Sequence, residues 1–179
     1  LVHAWAKSRA GFNGILTVNR LSTDGLSVVD DGVKVFDGGA RHPTIEGPKL
    51  YRRGEWVYIF APAGGVKSGW QTVLRSKSVL GPFEERIVLD QGGTPVNGPH
   101  QGGLVDTPSG EWWFVHFQDR GPYGRITHLQ PVAWRDGWPV IGDDPAHTGT
   151  GEPVLRARKP SAPAQPIQVP ATSDGFDGP

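Results

Sequence analysis

The 179 residues contain no cysteine and no methionine. Without cysteine, neither disulfides nor a thiolate metal cage can hold the fold. That absence leaves the compartment open. With no methionine even at position 1, the chain opens on Leu1-Val2-His3-Ala4-Trp5, which reads like the middle of a strand. We therefore expect it to begin inside a domain, with the native start upstream. These opening residues are not expected to be a signal peptide. Net charge is also missing, with 18 basic against 18 acidic side chains. A nucleic-acid binder needs a basic face, and an electrostatic membrane anchor needs a basic cluster, so both are disfavoured. No apolar run approaches the roughly 18 residues of a membrane helix. Nor does any window of about a dozen residues hold an apolar 3.6 period free of Gly and Pro.

Turn formers and aromatics are abundant: 26 Gly, 17 Pro and 7 Trp. The glycines punctuate apolar runs instead of clustering, and the tryptophans argue against disorder. Short β-rich runs recur, such as Gly14–Val18, Val33–Phe36, Trp56–Phe60, Trp112–Val115 and Ile126–Leu129. Between them stand pairs that accept positive φ: Asp24-Gly25, Asp31-Gly32, Arg53-Gly54, Ser109-Gly110 and Asp136-Gly137. In Trp56–Phe60 both alternating sets are apolar, which predicts a strand covered on both faces.

The chain also repeats. Gly54-Glu55-Trp56-Val57-Tyr58-Ile59-Phe60 aligns with Gly110-Glu111-Trp112-Trp113-Phe114-Val115-His116 at an offset of 56, and Leu50 aligns with Leu104 at 54. A weaker copy, Ala4 to Arg20, tracks Ala61 to Arg75. A period of about 50 residues built from four-stranded meanders is the mark of a β-propeller blade. Two full blades, at about residues 44–92 and 97–145, and part of a third before them are expected. Their inner strands should start near Glu46 and His100. Too few blades are present to close a ring. Such an open fragment would expose two apolar blade faces, so marginal stability and an aggregation liability are expected. Beyond about Glu152, a Pro- and Ala-rich stretch reads as a linker over 153–171, and 172–179 as the start of another domain.

In that alignment Glu46 and His100 stand four residues before the matched leucines, so equivalent inner-strand positions would bring them together near a central channel. A second reading of the same spacing is a Glu capping a strand start and a His bonded to backbone.

Here the residues resemble a family. His42-Pro43-Thr44-Ile45-Glu46-Gly47-Pro48-Lys49-Leu50-Tyr51 resembles the Glu-Gly-Pro segment of glycoside hydrolase family 43. Gly98-Pro99-His100-Gln101-Gly102-Gly103-Leu104-Val105 resembles the Gly-His segment of its last blade, and Gly124-Arg125-Ile126-Thr127-His128-Leu129 that blade's closing strands. The resemblance spans about residues 1–145 and implies an all-β fold, part of a five-bladed propeller. It implies an inverting glycosidase that releases terminal α-L-arabinofuranose or β-D-xylose from plant cell-wall polysaccharides or oligosaccharides. Arabinose- or xylose-containing oligosaccharide would be the partner, with no nucleic acid and no membrane. A secreted or periplasmic location is favoured over a cytoplasmic one; oligomeric state is left open. The tail Ser173-Asp174-Gly175-Phe176-Asp177-Gly178-Pro179 is similar to the opening of a lectin-like β-sandwich, with Gly175 where Glu is usual.

The resemblance assigns roles residue by residue. Glu46 matches the general acid. Such an acid must hold its proton near neutral pH, which takes burial or a nearby negative charge. The matching base and tuning Asp have no counterpart here and would lie upstream, so this fragment alone is expected to be inactive. His100 matches the axial histidine, which holds the tuning Asp or binds calcium or another cation through the channel. No cofactor is required. Arg125 matches an arginine that reaches the terminal sugar. Trp70, in a loop at the inner end of its blade, suits a sugar face, against an alternative of inter-blade core. His42 is a candidate substrate contact or a brace before Glu46, and Gln118 is a further candidate. A non-catalytic carbohydrate-binding or interaction propeller is the competing reading.

Overall fold

A computed structural model describes residues 1–161 together with 163 and 166. The tail expected to open a β-sandwich, 172–179, lies outside the described residues. Three antiparallel sheets follow in chain order. The first joins β1 (Val2–Ala4), β2 (Ile15–Val18) and β3 (Val33–Asp37). The second is the meander β4 (Lys49–Arg53), β5 (Trp56–Ala63), β6 (Trp70–Ser76) and β7 (Glu84–Leu89). The third repeats it with β8 (His100–Asp106), β9 (Trp112–Asp119), β10 (Arg125–Arg135) and β11 (Trp138–Ile141). These are two propeller blades and part of a third. The α-helical elements described are single turns, α1 (Lys7–Ala10) and α2 (Gly65–Ser68). No described helix is long and apolar enough to cross a membrane.

The blades stack through the period-2 alternation of β5. Tyr58 and Phe60 face the third sheet, where they pack with Leu104, Phe114, Trp138 and Ile141. Ile59, Ala61 and Ala63 face the first, against Leu16 and Ile45. The central blade is thus buried on both sides, and each fully buried Phe or Leu contributes roughly 1.5–3 kcal/mol. The outer faces differ. Trp5 and Phe12 on the first sheet, and Val105, Val115 and Leu129 on the third, are exposed. The Trp5 indole N–H donates to Thr17 Oγ1 at 2.8 Å. After β11 the chain returns to the central blade, where the Asp90 amide donates to Gly151 O at 3.1 Å. Segment 153–161 then runs along the third sheet, tied by Val154 to Gln130 and by Ser161 to Glu111.

A cationic clasp closes the seam between the two complete blades. The Arg75 guanidinium lies 4.3 Å from the ring centroids of both Trp56 and Trp138. It donates to Asp136 O at 2.9 Å and to Glu84 Oε2 at 2.6 Å, with its side chain only 12% exposed. Two desolvated cation–π contacts and a bond across the seam predict that Arg75→Ala destabilises by about 2 kcal/mol. Arg75→Lys should recover less than half of this, because an ammonium cannot lie flat between two indoles and fork to two acceptors. Thermal melts of the three proteins check both statements; equal stability of the Ala variant and wild type would count against the clasp.

Pairing corrects the inferred register. Leu104 stands opposite Phe114, whereas Leu50 stands opposite Ile59; Tyr51 is opposite Tyr58, the counterpart of Phe114. Tyr51, not Leu50, therefore corresponds to Leu104. A slip of one residue changes face: Leu50 is exposed, while Tyr51 packs on the core and its hydroxyl accepts the Leu104 amide at 2.9 Å.

Candidate active site

Loop 38–48 carries Glu46 from the first blade to the second. Ile45, fully buried between them, anchors it, and the Glu46 amide donates to Pro62 O at 3.0 Å. Gly47, at φ +52°, then turns the chain into β4. β8 starts at His100 as expected, but β4 starts at Lys49, so Glu46 belongs to the loop and reaches across to His100. His100 Nε2 lies 3.1 Å from Glu46 Oε1, and Gln101 Nε2 donates to the same oxygen at 3.3 Å. Glu46 is about half exposed (49%) and His100 only 1%, so a solvent-facing carboxylate rests on a buried imidazole. No hydrogen bond to Glu46 Oε2 is found among the described residues. The two groups singled out by the repeat therefore meet, although they are not equivalent in strand register.

The remaining candidates form other groups. Arg125, exposed at the start of β10, lies with its guanidinium 4.5 Å from the Phe117 ring centroid. That ring meets His100 edge-on at 6.0 Å, so Arg125, Phe117, His100 and Glu46 are contiguous. His42 and Trp70 pair with each other. Trp70 is the first residue of β6 and not a loop residue; its indole N–H reaches His42 Nδ1 at 3.3 Å, and Thr72 Oγ1 lies 3.0 Å from the same nitrogen. An indole N–H only donates, so His42 Nδ1 accepts and Nε2 carries the proton, 3.2 Å from Glu85 Oε2 but poorly aligned for a hydrogen bond. Burial holds the His42 pKa below its usual value despite that carboxylate.

Gln118 is buried and fully committed. Its amide nitrogen donates to Pro95 O and Asn97 Oδ1, both at 2.8 Å, and its oxygen lies 3.2 Å from His128 Nε2. It ties the loop entering His100 to the third blade, while Asn97 donates to Lys67 O of α2. Gln101, Thr72, Glu85 and Asn97 were not foreseen. Only Gln101 carried a usable signal, its place between His100 and the Gly102-Gly103 pair.

As for cations, His100 Nδ1 is buried with no hydrogen-bond partner among the described residues. Among the described residues no group of three or more His, Asp or Glu could hold a metal. Calcium takes six to eight oxygens, so these residues do not by themselves make its site. A cleft of about 400 Å³ lies on the outer face of the third sheet, lined in part by Glu111, Trp113 and Arg156, and includes none of the candidates.

Comparison with known proteins completes the picture. Residues 1–139 match the sequence profile of Glycosyl hydrolases family 43. A Xylanibacter ruminicola protein is 52% identical over 147 residues, which are 82% of this chain and 28% of that protein. The non-reducing end alpha-L-arabinofuranosidase of Bacteroides ovatus is 36% identical over 113 residues, 55% of this chain and 21% of its own. The crystal structure of xylan beta-1,4-xylosidase from Bacillus halodurans C-125 superposes with a TM-score of 0.79 at 26% identity, covering 99% of this chain and 36% of that one. The chain thus spans about a third or less of these proteins. A profile match over most of its length, with the same propeller architecture, establishes that the chain belongs to Glycosyl hydrolases family 43.

Proposed function

We propose that Glu46 is the general acid of an inverting glycosidase acting on terminal xylose or arabinofuranose. One observation carries the reading: a half-exposed carboxylate has one oxygen fixed by two side chains and the other left free. Family membership and the names of the xylosidase and arabinofuranosidase relatives support the substrate class.

In the step proposed, the Glu46 Oε2–H bond breaks as the proton passes to the glycosidic oxygen. The C–O electron pair stays on that oxygen, and water adds to the anomeric carbon from the opposite face, losing its proton to a carboxylate base. Inversion requires acid and base about 6.5–9.5 Å apart. Several described aspartates are committed elsewhere: Asp24 to the Leu26 amide, Asp90 to the Gly92 amide, Asp119 to the Gly121 amide, and Asp37 to Lys34 and the Gly39 amide. We assign the base and the tuning Asp to parts of the fold outside these residues. Arg125, stacked on Phe117 which in turn meets His100, is assigned to the terminal sugar's hydroxyls.

The test is hydrolysis by Glu46→Gln of an oligosaccharide against an aryl glycoside, in a polypeptide of the relatives' full length carrying this chain. Selective loss on the oligosaccharide supports the reading, and equal loss on both overturns it.

A further inference from the structure

Three backbone features converge beside Glu46. Gln101 has φ +50°, a conformation that L-residues other than Asn and Asp rarely adopt. The β8–β9 ladder runs from His100 opposite Phe117 to Gly103 opposite Val115, so Gln101 and Gly102 together face the single residue His116. This is a β-bulge, a device that re-aims a side chain. Gly102 is pressed against the Phe114 ring with no room for a Cβ. Across the gap, a Cβ on Gly47 would lie 2.7 Å from the Gln101 amide carbon. A bulge and a positive φ thus aim the Gln101 side chain, side-chain-free Gly47 leaves room for its amide, and that amide donates to Glu46 Oε1.

We infer that Gln101 is a positioning residue for the acid. Together with His100 it keeps Oε1 as the accepting oxygen and so confines the transferable proton to Oε2. The inference rests on the proposed role of Glu46. In the His100 tautomer that carries its proton on Nε2, two N–H groups donate to one oxygen and disfavour a proton there, because an oxygen that carries a proton has fewer lone pairs to offer. Without Gln101 the carboxyl is free to turn and its proton is shared between two orientations, of which one delivers it.

The test uses Gln101→Gly in a polypeptide of the relatives' full length, with Glu46→Gln alongside. Glycine accepts the positive φ without strain, so the variant loses the amide and not the backbone. Three results are expected. Turnover of an unactivated xylo-oligosaccharide falls about tenfold, a fraction of full general-acid assistance. Turnover of an aryl glycoside and KM change less than about twofold, since that leaving group needs no proton. The descending limb of the pH profile for turnover moves up by about half a pH unit, because a donor that favoured the ionised carboxylate is gone. Gln101→Asn, which tolerates this φ but is one methylene shorter, should behave like the glycine variant.

If Gln101→Gly leaves oligosaccharide turnover and the pH limb unchanged while Glu46→Gln shows its selective loss, Gln101 has no positioning role and the acid assignment stands. If Gln101→Gly lowers melting temperature and both activities equally, the residue is structural and the inference is overturned. If Glu46→Gln itself shows no selective loss, the acid assignment fails, and the inference with it.

Discussion

Replacing Glu46 by Gln should reduce hydrolysis of an oligosaccharide by 10²–10⁴-fold, the usual worth of general-acid assistance. An aryl glycoside with a good leaving group should lose far less, because its departing oxygen needs no proton in the transition state. Substrate binding should survive. Glutamine keeps the shape of the carboxylic acid and a carbonyl oxygen able to accept from His100 Nε2 and Gln101 Nε2 where Glu46 Oε1 does now. The geometry makes the comparison clean. The side chain is half exposed and hydrogen-bonds only at one oxygen among the described residues, so its amide should not disturb the seam behind it. Kinetics on both substrates settle the matter. Loss of equal size on each would make Glu46 a binding or structural group, and no loss on either would remove it from the site.

The parts of this arrangement that could be read in the sequence are those set by periodicity. Gly54-Glu55-Trp56 and Gly110-Glu111-Trp112 mark the same hairpin in two blades, and they open β5 and β9 as expected. The two-sided apolar pattern of Trp56–Phe60 correctly gave a strand buried on both faces. What could not be read is local and irregular. The Leu50–Leu104 match missed by one residue because two leucines resemble each other more than Tyr51 resembles Leu104, although the ladder pairs the latter two positions alike. Glu46 and His100 meet because a glutamate in a loop reaches across, an outcome that spacing suggested for a different reason. Gln101 owes its place to a bulge, and no composition or periodicity signals one. The pairing of His42 with Trp70, twenty-eight residues apart, depends on how the first blade docks on the second.

The third sheet buries a histidine of its own, and acid should expose its effect. His116 is 2% exposed on β9, stacked on His128 of β10 with ring centroids 5.3 Å apart and against Phe114 at 6.2 Å. Its Nδ1 lies 3.2 Å from Phe117 O, so Nδ1 carries the proton, and Nε2 is a buried lone pair with no donor facing it. Protonating Nε2 would place a buried charge beside a second imidazole, with no described carboxylate bonded to either ring. Burial, reinforced by His128, accordingly lowers the His116 pKa from 6.5 to about 4.

The sign follows from linkage. Above pH 6.5 the ring is neutral in both folded and unfolded chains, and its contribution to stability is complete. As pH falls from 6.5 towards 4 the unfolded chain takes up the proton first, so stability is lost across that window, by about 3 kcal/mol in all. Burial lowers His42 and His128 in the same direction, adding to the loss. Asp24, Asp37 and Asp144, also lowered, keep their contributions until pH drops below their ordinary 3.8, outside the window.

Melting temperature should therefore fall by about 10 °C between pH 7 and pH 4 through this side chain, taking 2–4 °C per kcal/mol for a chain of this size. In His116→Phe, which can stack on Phe114 and cannot titrate, that part of the fall should disappear. Wild type and variant should thus converge, or change order, as pH drops. Parallel melting curves for the two proteins across pH 7 to 4 would show that His116 is not the group responsible. The position of the pair gives the effect a consequence at the site. His128 bonds Gln118, and Gln118 holds the Pro95–Asn97 loop that leads into His100. Acid should loosen that loop before the blades separate, and the exchange protection of the Val96 amide, corrected for the intrinsic pH dependence of exchange, should fall at pH values where the Arg75 clasp is still intact.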